Sequence, residues 1–179
     1  MAVIEAARRG WRVFFAWYER HYTLNVGIAS ALFLLQLVHL YWLTTDVVVQ
    51  RLTGESWFEP TGVVRLLIVI VDYTEIPAIL GTSLIYINEL RRGQTWRPLL
   101  YLILLNSQWL HIFWITDEFV VNEFAGSEGG ANGSLPAWLA WVAILIDYLE
   151  LPVIYDTIKR FLAAWREERV GTFLREEVE

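Results

Sequence analysis

The sequence contains no cysteine, which excludes disulfide bonds and thiolate metal ligands and leaves the redox compartment undetermined. Basic residues are too few and too dispersed to form a patch for nucleic acid, and the net charge is −6. Residues 1–23 carry no small-residue cleavage site after a short apolar core, so a secretory signal is not predicted. These absences exclude disulfide-stabilised domains, thiolate centres and nucleic-acid binding.

Apolar residues are abundant instead. They make up 56% of the chain, whereas a soluble domain is about half apolar at most. Ten tryptophans and eight tyrosines add rings that favour the membrane–water boundary. A helix needs about 20 mostly apolar residues to cross a bilayer. Four stretches predict such helices: 24–43, 63–87, 99–115 and 137–163. The alternative is a very apolar soluble bundle.

The distribution of Lys and Arg predicts the orientation of these helices. Twelve of the 14 basic residues lie in the N-terminal segment, the second loop and the C-terminal tail; only Arg51 and Arg65 lie elsewhere. The positive-inside rule then places both termini in the cytoplasm. We expect an integral protein of a bacterial or archaeal plasma membrane.

The N-terminal segment 1–23 is typical of an amphipathic helix at the membrane surface, a solvated segment being the alternative. The residues expected to face lipid are Ile4, Trp11, Phe14, Phe15 and Tyr18. The residues expected to face phosphates are Arg8, Arg9 and Arg12.

Two motifs occur twice in the same order. Residues 36–49, QLVHLYWLTTDVVV, align with residues 108–121, QWLHIFWITDEFVV, and VDYTEIP at 71–77 aligns with IDYLELP at 146–152. This predicts an internal repeat of one helical hairpin. Each hairpin has two spans, so the repeats are parallel and related by a pseudo-twofold axis along the membrane normal.

The predicted fold is therefore an all-α integral membrane protein, a bundle of four transmembrane helices built from two hairpins. The hairpins cover residues 24–92 and 93–163. The interfacial segment 1–23 precedes them, and a cytoplasmic tail, 164–179, follows.

The repeated motifs place ionisable side chains inside the spans, where a carboxylate costs about 2.5–3.5 kcal/mol on insertion scales. Each Asp-x-x-Glu pair shares one helix face. Four carboxylates and two histidines are also the ligand set of soluble di-iron and di-manganese bundles, an analogy of ligand set alone. Two divalent cations would cancel the four negative charges, and oxygen with imidazole ligands suits Fe, Mn or Zn. The predicted ligands are His39, Asp72, Glu75, His111, Asp147 and Glu150.

Other matched residues surround these ligands. Gln36, Gln108, Tyr73 and Tyr148 are interpreted as a second shell. Trp42 and Trp114 follow each histidine by one turn, as a roof over the site or as interfacial anchors. Asp46 and Glu118 are interpreted as solvated loop acids, or alternatively as outer ligands or an acidic vestibule of the site. Pro77 and Pro152 each remove one helical hydrogen bond and predict a kink. His21 has no counterpart and is interpreted as interfacial.

The inner halves of the spans carry few polar groups, which indicates a site open to the outer side or to lipid. We therefore expect a membrane metalloenzyme, redox or hydrolytic, acting on a small or lipid-soluble substrate. The alternatives are a divalent-metal or proton transporter or channel, a metal-free proton network, and a non-catalytic subunit with a structural metal or a bis-histidine haem. The expected partners are the lipid bilayer and the substrate, and a homodimer is left open.

Overall fold

The computed structural model describes residues 2–94, 96–116 and 137–176, and the regular structure in these ranges is helical throughout. The predicted outer loop 117–136, with Glu118, lies outside them. The helices are α1 (Ala2–Arg20), α2 (Tyr22–Trp42), α3 (Val49–Thr53), α4 (Gly62–Tyr73), α5 (Glu75–Arg91), α6 (Trp96–Ile115), α7 (Ala137–Tyr148) and α8 (Leu151–Glu176). A π-helix, Leu43–Val48, joins α2 to α3.

Among the described residues, three helical segments are long and apolar enough to cross a membrane. They are Tyr22–Thr53, Trp96–Ile115 and Trp138–Glu168. They correspond to the first, third and fourth predicted stretches. Helix α8 also continues through the predicted boundary at residue 163 and ends at Glu176, so no break separates the tail from the last span.

The second predicted stretch, 63–87, is not one continuous helix. It is interrupted at Thr74, which leaves α4 with 12 residues and α5 with 17. A similar interruption lies at residues 149–150, between α7 and α8. Both precede a proline, Pro77 or Pro152, which has no N–H to bond the carbonyl four residues back. At these points the chain tightens, because Thr74 N–H bonds Val71 O at 2.9 Å and Leu149 N–H bonds Ile146 O at 2.9 Å.

The helices pack around a shared apolar core. Helix α2 contacts α4, α5 and α8, while α6 contacts α5 and α7. The core includes Phe33 from α2, Ile79 from α5, Leu105 from α6 and Ile154 from α8, all at most 3% exposed. Large apolar side chains such as Leu34, Leu80, Ile103 and Leu145 point outward and are more than half exposed. So much exposed apolar surface is suited to lipid rather than to water.

Helix α1 packs against the other helices with two of the aromatic residues expected to face lipid. Phe15 and Tyr18 are 1% and 3% exposed. The guanidinium carbon of Arg91 lies 3.9 Å from the centre of the Phe15 ring. Glu19 pairs with Arg92 at 3.0 Å, and this hydrogen bond lowers the pKa of the Glu19 carboxyl. The expectation for Phe15 and Tyr18 was wrong because α1 has protein on one side. The outward residues remain exposed as expected: Ile4, Trp11, Phe14, Arg8, Arg9 and Arg12.

Candidate metal centre

All six predicted ligand residues lie in one buried cluster, each at most 4% exposed. The helix interruptions place the acids, since Asp72 and Glu75 flank Thr74, while Asp147 precedes the turn before α8 and Glu150 lies in it. The histidines come from the two helices packed against these turns, His39 from α2 and His111 from α6. The fold thus brings together side chains that are up to 111 positions apart in the numbering, from residue 39 to residue 150.

His39 connects the two predicted hairpins. Its Nδ1 makes an ion-pair contact with Asp72, in its own hairpin. Its Nε2 lies 3.1 Å from Asp147 Oδ2, in the other hairpin. A ring held on both nitrogens has a fixed orientation.

Asp147 occupies the centre of the cluster. Its Oδ1 lies 3.8 Å from His111 Nε2, and the centres of the His39 and His111 rings are 5.2 Å apart. Side-chain ligand atoms of His39, His111 and Asp147 all lie within 4.8 Å of one another. The same is true of Glu75, Asp147 and Glu150. Each group can hold a metal ion, and Asp147 belongs to both.

Several polar atoms of the cluster have no hydrogen-bond partner among the described residues. They include Asp72 Oδ2, Glu75 Oε1, Glu150 Oε1 and His111 Nε2. Buried polar atoms are nearly always satisfied, by protein, water or an ion. The donor set is oxygen with imidazole, which suits a divalent cation such as Fe, Mn or Zn. The residues therefore fit a metal centre.

The two glutamines bond to backbone rather than to the histidines through their amide nitrogens. Gln36 Nε2 donates to Val71 O at 3.1 Å, and Gln108 Nε2 donates to Ile146 O at 2.9 Å. Each carbonyl belongs to the residue just before the aspartate of its hairpin. The glutamines therefore hold the backbone of the interrupted turns, and through it the positions of the neighbouring aspartates.

The two tyrosines bond to threonines across the hairpins. Tyr73 OH lies 2.8 Å from Thr116 Oγ1, and Tyr148 OH lies 2.6 Å from Thr44 Oγ1. Each threonine donates its own proton to the carbonyl four residues back, so the tyrosine is the donor in each pair. Sequence reasoning aligned these threonines but gave them no role.

The tryptophans lie beside the histidines. Trp42 and Trp114 are buried, with ring centres 5.5 Å and 5.6 Å from His39 and His111. Trp42 Nε1 donates to Asp46 Oδ2 at 2.9 Å. Both rings are therefore packed inside the protein rather than exposed as lipid-facing anchors, and their role as a roof over the site stays a prediction. Glu118, the sequence counterpart of Asp46, falls outside the described residues.

Toward the C-terminal ends of α5 and α8, the cluster meets an apolar layer. Ala78, Ile79, Val153 and Ile154 form it and are nearly inaccessible. Beyond the layer, the guanidinium of Arg160 forms ion pairs with two acids. They are Glu89 and Asp156, and Asp156 also accepts a hydrogen bond from Tyr86 OH at 3.1 Å.

Comparison of the chain with protein-family models, with curated proteins and with solved structures gave no match. The function is therefore argued from the chemistry of the cluster.

Proposed function

We propose that this chain is an integral membrane metalloprotein whose buried His/carboxylate cluster binds two divalent ions, and that it acts as a metalloenzyme. The substrate class is a small or lipid-soluble molecule. The observation that carries the proposal is the convergence of all six ionisable side chains in one place, with ligand atoms left unpartnered.

In this proposal the chain crosses the membrane four times, and α4 and α5 together form the second span. Two observations support a repeat of parallel hairpins: the Tyr–Thr hydrogen bonds pair residues matched in the sequence, and so do the glutamine bonds to the interrupted turns. With both termini cytoplasmic, the cluster lies in the outer half of the membrane and the Arg160 network toward the cytoplasm.

The ligand roles in the proposal are unequal. One ion would be held by His39, His111 and Asp147, and the other by Glu75, Asp147 and Glu150, with Asp147 shared. Asp72 contacts Nδ1 of His39, so it would orient that ring as an outer partner rather than bind an ion directly. In this proposal Asp72 and Asp147, which match in sequence, therefore have different roles.

Electrostatics supports cations at this position. Burying unpaired carboxylates is unfavourable, and four in one place repel one another. A pair of divalent ions removes that repulsion without protonation. When bound, such ions would polarise a substrate or activate water or oxygen. The protein side chains would hold the ions, exclude bulk water and fix His39.

Two alternatives fit the geometry less well. A transporter needs binding groups or water along its path, whereas Ala78, Ile79 and Val153 are completely buried next to the cluster. A haem between His39 and His111 needs room for a macrocycle, whereas their ring centres are only 5.2 Å apart.

The decisive experiment is elemental analysis of protein purified without chelator. We expect about two divalent ions per chain, with EPR and optical spectra distinguishing iron or manganese, which favour redox chemistry, from zinc, which favours hydrolysis. The double variant His39→Gln with His111→Gln should lose the metal.

His21→Gln is the matched control, since His21 lies outside the cluster and its ring Nδ1 lies 2.9 Å from the Trp17 carbonyl. It should bind metal as the unmodified protein does. Metal-free protein after gentle purification, or equal metal content in both histidine variants, would contradict the proposal.

A further inference from the structure

A narrow cleft between the α4–α5 segment and α6 leads to the cluster. Its walls are close together, and it holds no open space of the size of a water molecule. Its lining residues are Asp72, Tyr73, Glu75, His111, Ile112 and Ile115. Half of them are members of the candidate metal centre, so the cleft reaches the predicted ligands directly.

The two ends of the cleft differ in burial. Asp72, Glu75 and His111 form the buried end. Tyr73 and Ile112 are only partly buried and form the end near the surface of the helices. Residues close in sequence to the lining residues are apolar and exposed: Ile70, Leu110 and Phe113 are 53%, 52% and 61% exposed. The cleft therefore runs from the cluster to a surface that suits lipid.

One hydrogen bond connects the two walls beside this end. Tyr73, a lining residue next to Asp72, donates to Thr116 on the other wall at 2.8 Å. The walls lie too close together for a water molecule to enter. A tyrosine ring turns about two side-chain bonds, so releasing this hydrogen bond can widen the cleft without breaking a helix.

We infer that the cleft is a lateral entry route by which a small, uncharged, apolar molecule dissolved in the bilayer reaches the metal centre, with the Tyr73–Thr116 hydrogen bond as its latch. The inference rests on the proposed function and names its substrate class. The isoleucines disfavour charged or strongly hydrated molecules, because these would lose hydration without gaining a partner.

The test uses the metal itself as the reporter, in full-length protein reconstituted in lipid nanodiscs. Metal content is measured first. The rate of metal loss is then followed with 2,2′-bipyridine, which is uncharged and enters the bilayer, and with EDTA, which is charged and does not. We expect bipyridine to remove the metal at least about tenfold faster, because only it can use a lipid-facing entrance.

Two variants with matched controls locate the route. Tyr73→Phe removes the latch and should speed metal loss to bipyridine about fivefold, the equivalent of one hydrogen bond of about 1 kcal/mol. Tyr155→Phe makes the same change on α8 at a tyrosine that is 70% exposed and outside the site, and should not change the rate. Ile112→Trp fills the cleft and should slow the loss, whereas Phe113→Trp, on the exposed neighbour, should not.

The outcomes separate the two proposals. Protein that holds no metal overturns both. Protein that holds metal, but loses it equally fast to both chelators or responds equally to Tyr73→Phe and Tyr155→Phe, overturns the lateral route and leaves the metal centre standing. The expected pattern in both variant pairs supports the route, because a general loosening of the fold would affect the controls too.

Discussion

Replacing Glu75 and Glu150 by glutamine should have opposite effects on stability with and without metal. In the metal-free protein, the two glutamates repel each other and Asp147, so the double variant should be more stable than the unmodified chain. In the metal-loaded protein the same glutamates are ligands, so the variant should lose the stabilisation that metal provides.

The magnitudes follow from the geometry. Ligand atoms of Glu75, Asp147 and Glu150 all lie within 4.8 Å of one another. Two unit charges at that distance repel by about 3.5 kcal/mol at an effective dielectric constant of about 20. Three such pairs would cost about 10 kcal/mol, as much as the whole stability of many proteins. Bound protons relieve part of this, so we expect the metal-free variant to gain about 3 kcal/mol, the repulsion of one remaining pair.

Metal acts in the opposite direction. An ion present at about 1,000 times its dissociation constant stabilises the folded state by about 4 kcal/mol. For a chain of this length that is a rise of roughly 10 °C in Tm. The unmodified protein should show this rise on metal addition, and the double variant should show little of it.

Thermal unfolding in detergent, followed by tryptophan fluorescence, measures both effects in the same titration. The matched control is Glu55→Gln with Glu59→Gln, which removes two exposed acids outside the cluster. It should leave the metal-induced shift intact. A double cluster variant that keeps the full metal-induced shift, or that is strongly destabilised without metal, would refute the reasoning and favour a hydrogen-bonded structural core.

Two further predictions concern single residues. Asp147→Asn should abolish binding of both ions, whereas Asp72→Asn should retain both with about 10–100-fold weaker affinity, because Asp72 acts through His39. Metal titration of both variants checks this, and equal losses of affinity would contradict the unequal roles of the two aspartates. Arg160→Ala should lower the free energy of unfolding by about 3 kcal/mol, since it leaves two acids without their cation. The control Lys159→Ala, at an exposed neighbour, should change it by less than about 0.5 kcal/mol. Chemical denaturation measures both variants, and similar values would show that the ion pairs add little stability.

Much of the architecture follows from local sequence features. Apolar runs of about 20 residues predict the long helices, because a helix satisfies all of its backbone groups within one segment while its apolar side chains face lipid. The interruptions are less predictable. Pro77 removes one hydrogen bond, which a helix can tolerate as a bend. Here the helix ends at Tyr73, and the Val71 carbonyl at the turn accepts hydrogen bonds from Thr74 and also from Gln36 of another helix.

The composition of the candidate site was predictable, but the differences between its members were not. Matched positions predict that the six ionisable residues share one level of the fold. Asp72 and Asp147 are equivalent in sequence, yet only Asp147 lies within reach of both histidines. That difference arises from side-chain packing. The role of Thr44 is not predictable from sequence, because a helical threonine usually bonds the carbonyl of its own preceding turn. Its second role, as an acceptor from Tyr148, depends on tertiary packing.

The interrupted turns link the chemistry of the site to assembly of the fold. An unsatisfied backbone group inside a membrane costs several kcal/mol, so an isolated helix broken at Thr74 would insert poorly. Packing against α2 adds the Gln36 amide as a further donor to the Val71 carbonyl, which already accepts from Thr74, and Gln108 does the same for the Ile146 carbonyl. These turns also place the carboxylates. Packing of the helices therefore stabilises the turns that hold the acids, which means that the candidate metal site is completed as the tertiary structure forms.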